Sequence, residues 1–303
     1  QCDRSIGENN GFFLRRARLI FSGDAHERVF IYIQPDLASN AATDNQGFAQ
    51  LRDAYFDLAL DSSKEFRLRF GQSKVPFGFE NLQSSSNRLA LDRTDALNSA
   101  VANERDLGVT FYWAPAEIRK RFQEITNSTL KGSGDYGVFG LGAYNGQTAN
   151  KPELNDNRHV AARLTYPFEL SNGQFIEPSL QAYTGIYNTP SSHRDQRVAM
   201  SLVYYPQPFG FQLEGNVGRG PQYNPESGRI DNATLRGGYA QVMYRVAGFG
   251  FAGINEQAVT PFFRGHYYQG GKKHETDARQ HLVREWEIGA EWQPLPAFEL
   301  TAM

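Results

Sequence analysis

Two short arginine runs carry the chain's most distinctive chemistry: Arg16 and Arg18 in "FFLRRARLIF", and Arg67 and Arg69 in "EFRLRFGQSKVPFGFE". Side chains alternate between the faces of a strand. In each run the arginines therefore share one face, opposite Phe13, Ala17, Leu19 and Phe21 in the first and Phe66, Leu68 and Phe70 in the second. Arginine grips phosphate or carboxylate oxygens bidentately, and rows of Arg and Lys replace part of an anion's hydration shell. Asp53, Tyr55 and Asp57 lie between the two runs and Lys74 follows the second, while Arg163 and Arg264 stand on the polar faces of later strands. Two readings stay open. The arginines form a cationic stripe for anions, or they pair with Asp53, Asp57 and neighbours to hold a wall together.

Other chemistries find little purchase. His274 and His281 are separated by a charged loop, and no G-x-S-x-G elbow or HExxH occurs. "GVFGLGAYNG" does not follow G-x-G-x-x-G. His159 and His266 are isolated and read as hydrogen-bonded structural histidines. Cys2 is the single cysteine, so no internal disulfide and no cysteine metal site can form. The expectation is no enzyme, no cofactor and no metal. A net charge of -2 also argues against a nucleic-acid partner, which calls for a basic excess.

The elements that must position the arginines are strands. The 303 residues are 40% hydrophobic and 13% aromatic with 29 Gly, and the mean hydropathy is -0.55. No apolar run reaches about 18 residues, so a helical membrane span is not supported. Alternating segments recur from Phe12–Phe21 through "VFIYIQPDL", "LRDAYFDLAL", "LGVTFYW", a Gly-rich "YGVFGLGAYN", "RHVAARLTY", "FIEPSLQAYTGIY", "RVAMSLVYY", "FGFQLEGNVG", "GGYAQVMYRV", "VTPFFRGHYY" and "REWEIGAEW" to "FELTAM". That makes roughly fourteen strands, within the range of membrane barrels. Their connections alternate short and long, the pattern of an outer-membrane barrel with short periplasmic turns and long extracellular loops. The exception is 114–135, which holds "IRKRF" on the short side. The longest irregular stretch, 78–105, carries Asp92, Arg93, Asp95 and Arg105, with a short helix expected over Leu91–Ala102. The expected fold is all-β, a transmembrane antiparallel up-and-down β-barrel with lipid on its apolar faces and water on its polar ones. A soluble sandwich is the alternative. An Arg facing lipid at the bilayer midplane costs about 2–4 kcal/mol, and the arginines named above all fall on polar faces. Trp113, Trp286, Trp292 and Tyr204 stand on apolar faces near strand ends, where aromatic girdles sit.

"FFLRRARLIF", "LRDAYFDL", "RLRFGQSKVPFGFENLQSSS", "ERDLGVTFYW", "YGVFGLGAYNG" and "VREWEIGAEWQ" followed by "FELTAM" resemble, in order along nearly the whole chain, the phosphate-selective porin O/P family. The resemblance implies a bacterial outer-membrane channel, 16-stranded and trimeric, with an inward-folded loop narrowing each pore. It also implies that 1–303 is one barrel domain truncated at both ends, with Gln1–Asn10 a loop after an absent first strand and at least one strand missing after Met303. The constriction loop would be 78–105, with Asp92, Arg93, Asp95 and Arg105. The channel lining would comprise Arg16, Arg18, Asp53, Tyr55, Asp57, Arg67, Arg69, Lys74, Arg163 and Arg264. The family's phosphate-specific members share a lysine cluster, whereas this chain has seven Lys against 24 Arg, with Lys272–Lys273 the one adjacent pair. Glu177, Glu214, Glu285, Glu287, Glu291 and Glu299 are expected to dilute a positive lumen. The function expected is passive diffusion of small polar or anionic solutes, phosphate among them, with outer-membrane lipid and two further copies of the chain as partners. A non-conducting barrel serving as adhesin or scaffold is the alternative.

Overall fold

The computed structural model describes residues 14–38, 48–251, 253–275 and 277–303. Cys2, Phe12 and Phe13 lie outside them. The sheet begins with β1 (Phe21–His26), β2 (Val29–Ala38), β3 (Phe48–Ala59), β4 (Phe66–Lys74) and β5 (Arg105–Trp113). It continues through β6 (Phe139–Tyr144), β7 (His159–Thr165), the two-residue β8 (Phe168–Glu169), β9 (Phe175–Asn188) and β10 (Ser192–Tyr204). β11 (Phe209–Asn224), β12 (Arg229–Tyr244), β13 (Val246–Phe251), β14 (Ile254–Gly271), β15 (Gln280–Leu295) and β16 (Phe298–Ala302) follow. Each main strand pairs antiparallel with its neighbour in sequence, and only β8 and β13 lie off the path, on β9 and β14. This is the up-and-down order of a transmembrane barrel.

The two faces separate as period 2 requires. Ile33, Phe56, Val109, Leu180, Val217 and Val242 are exposed on the outer face, and Trp286 and Ile288 reach 75% and 77% exposure. Burial is instead inward, in four apolar clusters. An apolar outside around a polar inside is the arrangement that hydrocarbon stabilises, so the sandwich alternative is discarded.

Several elements differ from the sequence reading. Residues 14–20 are not a strand: among the described residues they pair with the sheet through one bridge, Arg18 to Asp36, while Arg15 and Arg18 form ion pairs with Asp92 and Asp36. The Gly-rich strand starts at Phe139 rather than Tyr136. Alternation of loop length fails in the second half, where β9–β10 and β11–β12 turn within a few residues and the strands themselves run 13 to 16 residues. Those strands are longer than the roughly 9–11 residues that span a bilayer, so they project beyond it where loops were expected.

Two inserts enter the barrel. The first, 75–104, contains α1 (Phe79–Leu82) and α2 (Asp95–Asn98) with two 3-10 turns, rather than one helix over 91–102. The second lies on the short-turn side, where α3 (Ala116–Asn127) occupies the oversized connection. Its apolar residues Ile118, Phe122 and Ile125 fall at i, i+4 and i+7 and form one buried face. Ile118 and Phe122 pack on Ala114 and Val138. Ile125 joins Phe79 of α1 with Val203 and Tyr205, so the inserts meet inside the barrel.

Candidate functional site

The wall of β2–β5 carries the arginines. A bulge opposite Gln34 and Pro35 inserts one residue into β3, so Arg52 and Asp53 are both buried inward. The Tyr32 and Tyr55 rings stack at 5.2 Å. Arg69 donates to both Asp57 oxygens, at 2.7 and 2.8 Å, and its guanidinium lies 3.8 Å from the Tyr55 ring centroid. Arg67 reaches Asp135 at 2.7 Å, and Arg119 of α3 holds the other oxygen of that carboxylate at 2.8 Å. Burial pushes the Asp135 carboxyl up, but Arg67 and Arg119 outweigh burial and hold it below the ordinary carboxylate range. At the other end of the wall Arg105 pairs with Asp53 at 2.9 Å. Gly71 makes the β3–β4 contact possible: its φ is +124°, and a Cβ there would lie 2.2 Å from the Ala54 carbonyl oxygen.

The opposite wall holds the first insert. Gln181 of β9 accepts from Gly78 N, and Glu214 of β11 accepts from Phe79 N and Glu80 N. Arg264 of β14 donates to Glu80 at 2.6 Å and to the Asp92 carbonyl at 2.9 Å, and also pairs with Glu287. Glu80 in turn accepts from Thr94 N and Oγ1, which fixes the start of α2. Arg197 of β10 donates to Ser99 Oγ and O, and His274 Nε2 accepts from Ala102 N. The second insert is tied by Lys131, whose ammonium sits 2.7 Å from Glu291, 3.0 Å from Glu299 and 3.2 Å from the Ser86 carbonyl. Lys131→Met would leave Glu291 buried without its cation, at a cost of about 3–5 kcal/mol. The expected result is faster hydrogen exchange of the α3 amides with the strand amides unchanged; uniform protection would show that the tie is dispensable.

Between the inserts and the β2–β5 wall lie two cavities of about 620 and 600 Å³. They share Tyr32, Tyr55, Arg69, Gly134 and Tyr136, so these side chains stand where the two cavities adjoin. The cavity toward the long loops is lined, among the described residues, by nine basic side chains against four acidic ones. Glu104 serves Arg52, Arg93 and Arg105 together, at 3.4, 2.8 and 2.9 Å. Burial raises its carboxyl, yet Arg93, Arg105 and Arg52 bring it down to about 2, so it stays ionised well into acid. Among the described residues Arg16 has no acidic partner. Arg88 bonds only the Leu91 carbonyl, leaving its buried Nε and Nη1 without partners.

Most sequence-predicted lining residues gather on this path. Arg16, Arg18, Asp53, Tyr55, Arg69, Lys74, Asp92, Arg93 and Arg105 line the first cavity, and Tyr55, Asp57, Arg67 and Arg69 the second. Three do not. Arg163 is buried with Glu177 at 3.0 Å, and Arg264 is committed to the first insert. Asp95 pairs with Lys272 at 2.8 Å, away from both cavities. Lys74 donates to the Leu82 and Gln83 carbonyls at 2.6 and 2.8 Å and so caps α1. Arg105 opens β5 rather than closing the loop. The acids expected to dilute the lumen are engaged elsewhere. Glu177 binds Arg163, Glu214 holds α1, Glu287 pairs with Arg264, Glu291 and Glu299 hold Lys131, and Glu285 meets His266. Sequence reasoning missed Arg15, Arg52, Arg88, Glu104 and Tyr136. The bulge at Arg52 breaks the period that would have found it, whereas the alternation of Arg88 and Arg93 with Asp92 was visible.

The family model for phosphate-selective porin O and P matches residues 1–193 and 187–303. No curated protein matches the chain. Among solved structures, the outer membrane channel DcaP of Acinetobacter baumannii is similar at 12% identity over 92% of this chain and 84% of that one, with a TM-score of 0.44. OmpT, an outer membrane protein of Vibrio cholerae folded in vitro, is similar at 10% identity over 92% and 88%, with a TM-score of 0.38. The family model spans the chain from end to end, and the antiparallel up-and-down sheet with its apolar outside and charged, cavity-bearing inside agrees with it. The chain belongs to the phosphate-selective porin O and P family of channels in the bacterial outer membrane.

Proposed function

We propose that this porin is an anion-preferring diffusion channel that passes small anionic solutes, inorganic phosphate among them. One observation carries the reading: nine basic side chains face four acidic ones in the cavity on the long-loop side, and Arg16 and Arg88 have no acidic partner among the described residues. The paired arginines keep the wall in place and the unpaired ones set the sign of the field. Space lined by polar and charged side chains beside two inserts favours conduction over an adhesin or scaffold role, and transport by diffusion needs no catalytic group. Segment 75–104 is the constriction, placed against β9–β14 so that solutes pass beside β2–β5. Family membership supports three chains per assembly, each with its own path.

The test is the reversal potential of the full-length protein in a planar bilayer across a salt gradient, followed by addition of phosphate. Anion preference that weakens with ionic strength, and chloride current blocked by phosphate, are the expected results. A cation preference would overturn the reading, and equal permeability would leave a general porin.

A further inference from the structure

The outer face of the barrel carries a second basic feature that the channel does not use. Arg194, Arg219, Arg236 and Arg284 point outward from β10, β11, β12 and β15 and are exposed. None has an acidic partner among the described residues; Arg219 bonds the Asn232 carbonyl and Arg236 the Gln269 side chain. The register places them on one line around the barrel. Gln196 pairs with Arg219, Val217 with Arg236, and Tyr267 with Arg284, so the line descends the ladder from β10 to β15 as strand tilt requires. They stand eight to eleven residues along their strands from the short-turn rim, marked by Tyr204, Phe209, Tyr244 and Leu295, close to one hydrocarbon thickness for a tilted strand. The arginines therefore sit at the headgroup level of the outer leaflet.

Directly below Arg284 the outer surface is hollow. A groove of about 650 Å³ has Gly238, Ala240 and Gly265 as its floor and Phe263 and Trp286 as a wall, their rings stacked at 5.5 Å. Gly265 lies under Trp286, where a Cβ would be 2.4 Å from the indole. Arg284 lines the upper part of the same groove.

We propose that β10–β15 form a binding site for a phosphate-bearing, multi-acyl lipid of the outer leaflet, with its headgroup phosphates on the arginine line and an acyl chain in the groove. Charge complementarity commits the site to an anionic lipid: arginine forks fit phosphate oxygens, and basic residues at a membrane surface attract anionic headgroups. A neutral lipid would fill the groove but gain nothing from the four arginines. This inference is independent of which solute the channel passes.

The experiment titrates bisphosphorylated lipid A, and in parallel its dephosphorylated form, into the detergent-solubilised full-length protein and counts bound lipid by native mass spectrometry. The bisphosphorylated form is expected to bind about tenfold more tightly or better, and the advantage to vanish in the quadruple variant Arg194→Gln, Arg219→Gln, Arg236→Gln, Arg284→Gln. Single-channel conductance of that variant should match the parent, showing that the barrel is intact. Gly265→Leu, which fills the groove and leaves the charges, should weaken both lipids alike. Equal binding of the two lipids by the parent, or an undiminished advantage in the quadruple variant, would overturn the proposal. So would a change in the number of chains per assembly without a change in lipid retention, because the face would then be a contact between copies.

Discussion

Arg264→Ala is expected to give larger and noisier single-channel currents while the barrel still resists heat. Arg264 is 1% exposed and binds Glu80, Glu287 and the Asp92 carbonyl, so one side chain joins both halves of the 75–104 insert to β14 and, through Glu287, to β15. Its removal leaves Glu80 buried with no cation and close to Glu214, which grips the backbone N–H groups of the same helix. Breaking one member of a buried pair costs about 3–5 kcal/mol. That is at least a hundredfold in the equilibrium between docked and displaced insert. Gln181, Glu214, Arg197, Asn216 and His274 keep contacts with the insert, so the result is a fluctuating constriction and not an expelled one. A double variant, Arg264→Ala with Glu80→Ala, should recover part of the loss by removing the stranded carboxylate. Quiet parental currents from the single variant would show that the remaining ties suffice.

What the sequence revealed and what it concealed divide along physical lines. Alternation placed Tyr55, Arg67 and Arg69 inward correctly because one strand face meets hydrocarbon and the other water, a local rule written into every second residue. The same rule failed at Arg52, where one inserted residue turns two neighbours inward. It also assigned Arg163 and Arg264 to open water. Both do face inward, but the inserts occupy the space before them, and nothing in the strands' own periodicity records that. The ionic partners of Lys131 and Glu80 lie 160 and 184 residues away, beyond any window of pattern. α3 was the opposite case: Ile118, Phe122 and Ile125 wrote a helical period into a connection judged only by its length and its basic residues.

The charge on the path can be tested apart from its shape. Arg16→Glu combined with Arg88→Gln changes the field by three unit charges without touching an ion pair among the described residues. At about 10 Å in water each unit charge contributes about 0.4 kcal/mol to a passing monovalent ion, or about 1.2 kcal/mol for three. Because the anion loses what the cation gains, the anion-to-cation permeability ratio should shift by about 2.4 kcal/mol and fall about sixtyfold at low salt, but only about fivefold near 0.1 M, where the Debye length is about 10 Å. Arg69→Gln should give the contrary signature. Arg69 is neutralised by Asp57 and lies on Tyr55 where the two cavities adjoin, so losing it changes the charge by one unit while removing bulk from the lining between them. Conductance should then move more than selectivity. If Arg69→Gln shifted the permeability ratio as far as the Arg16 and Arg88 pair of changes, the paired arginine on the wall, and not the unpaired ones, would be setting the ion preference.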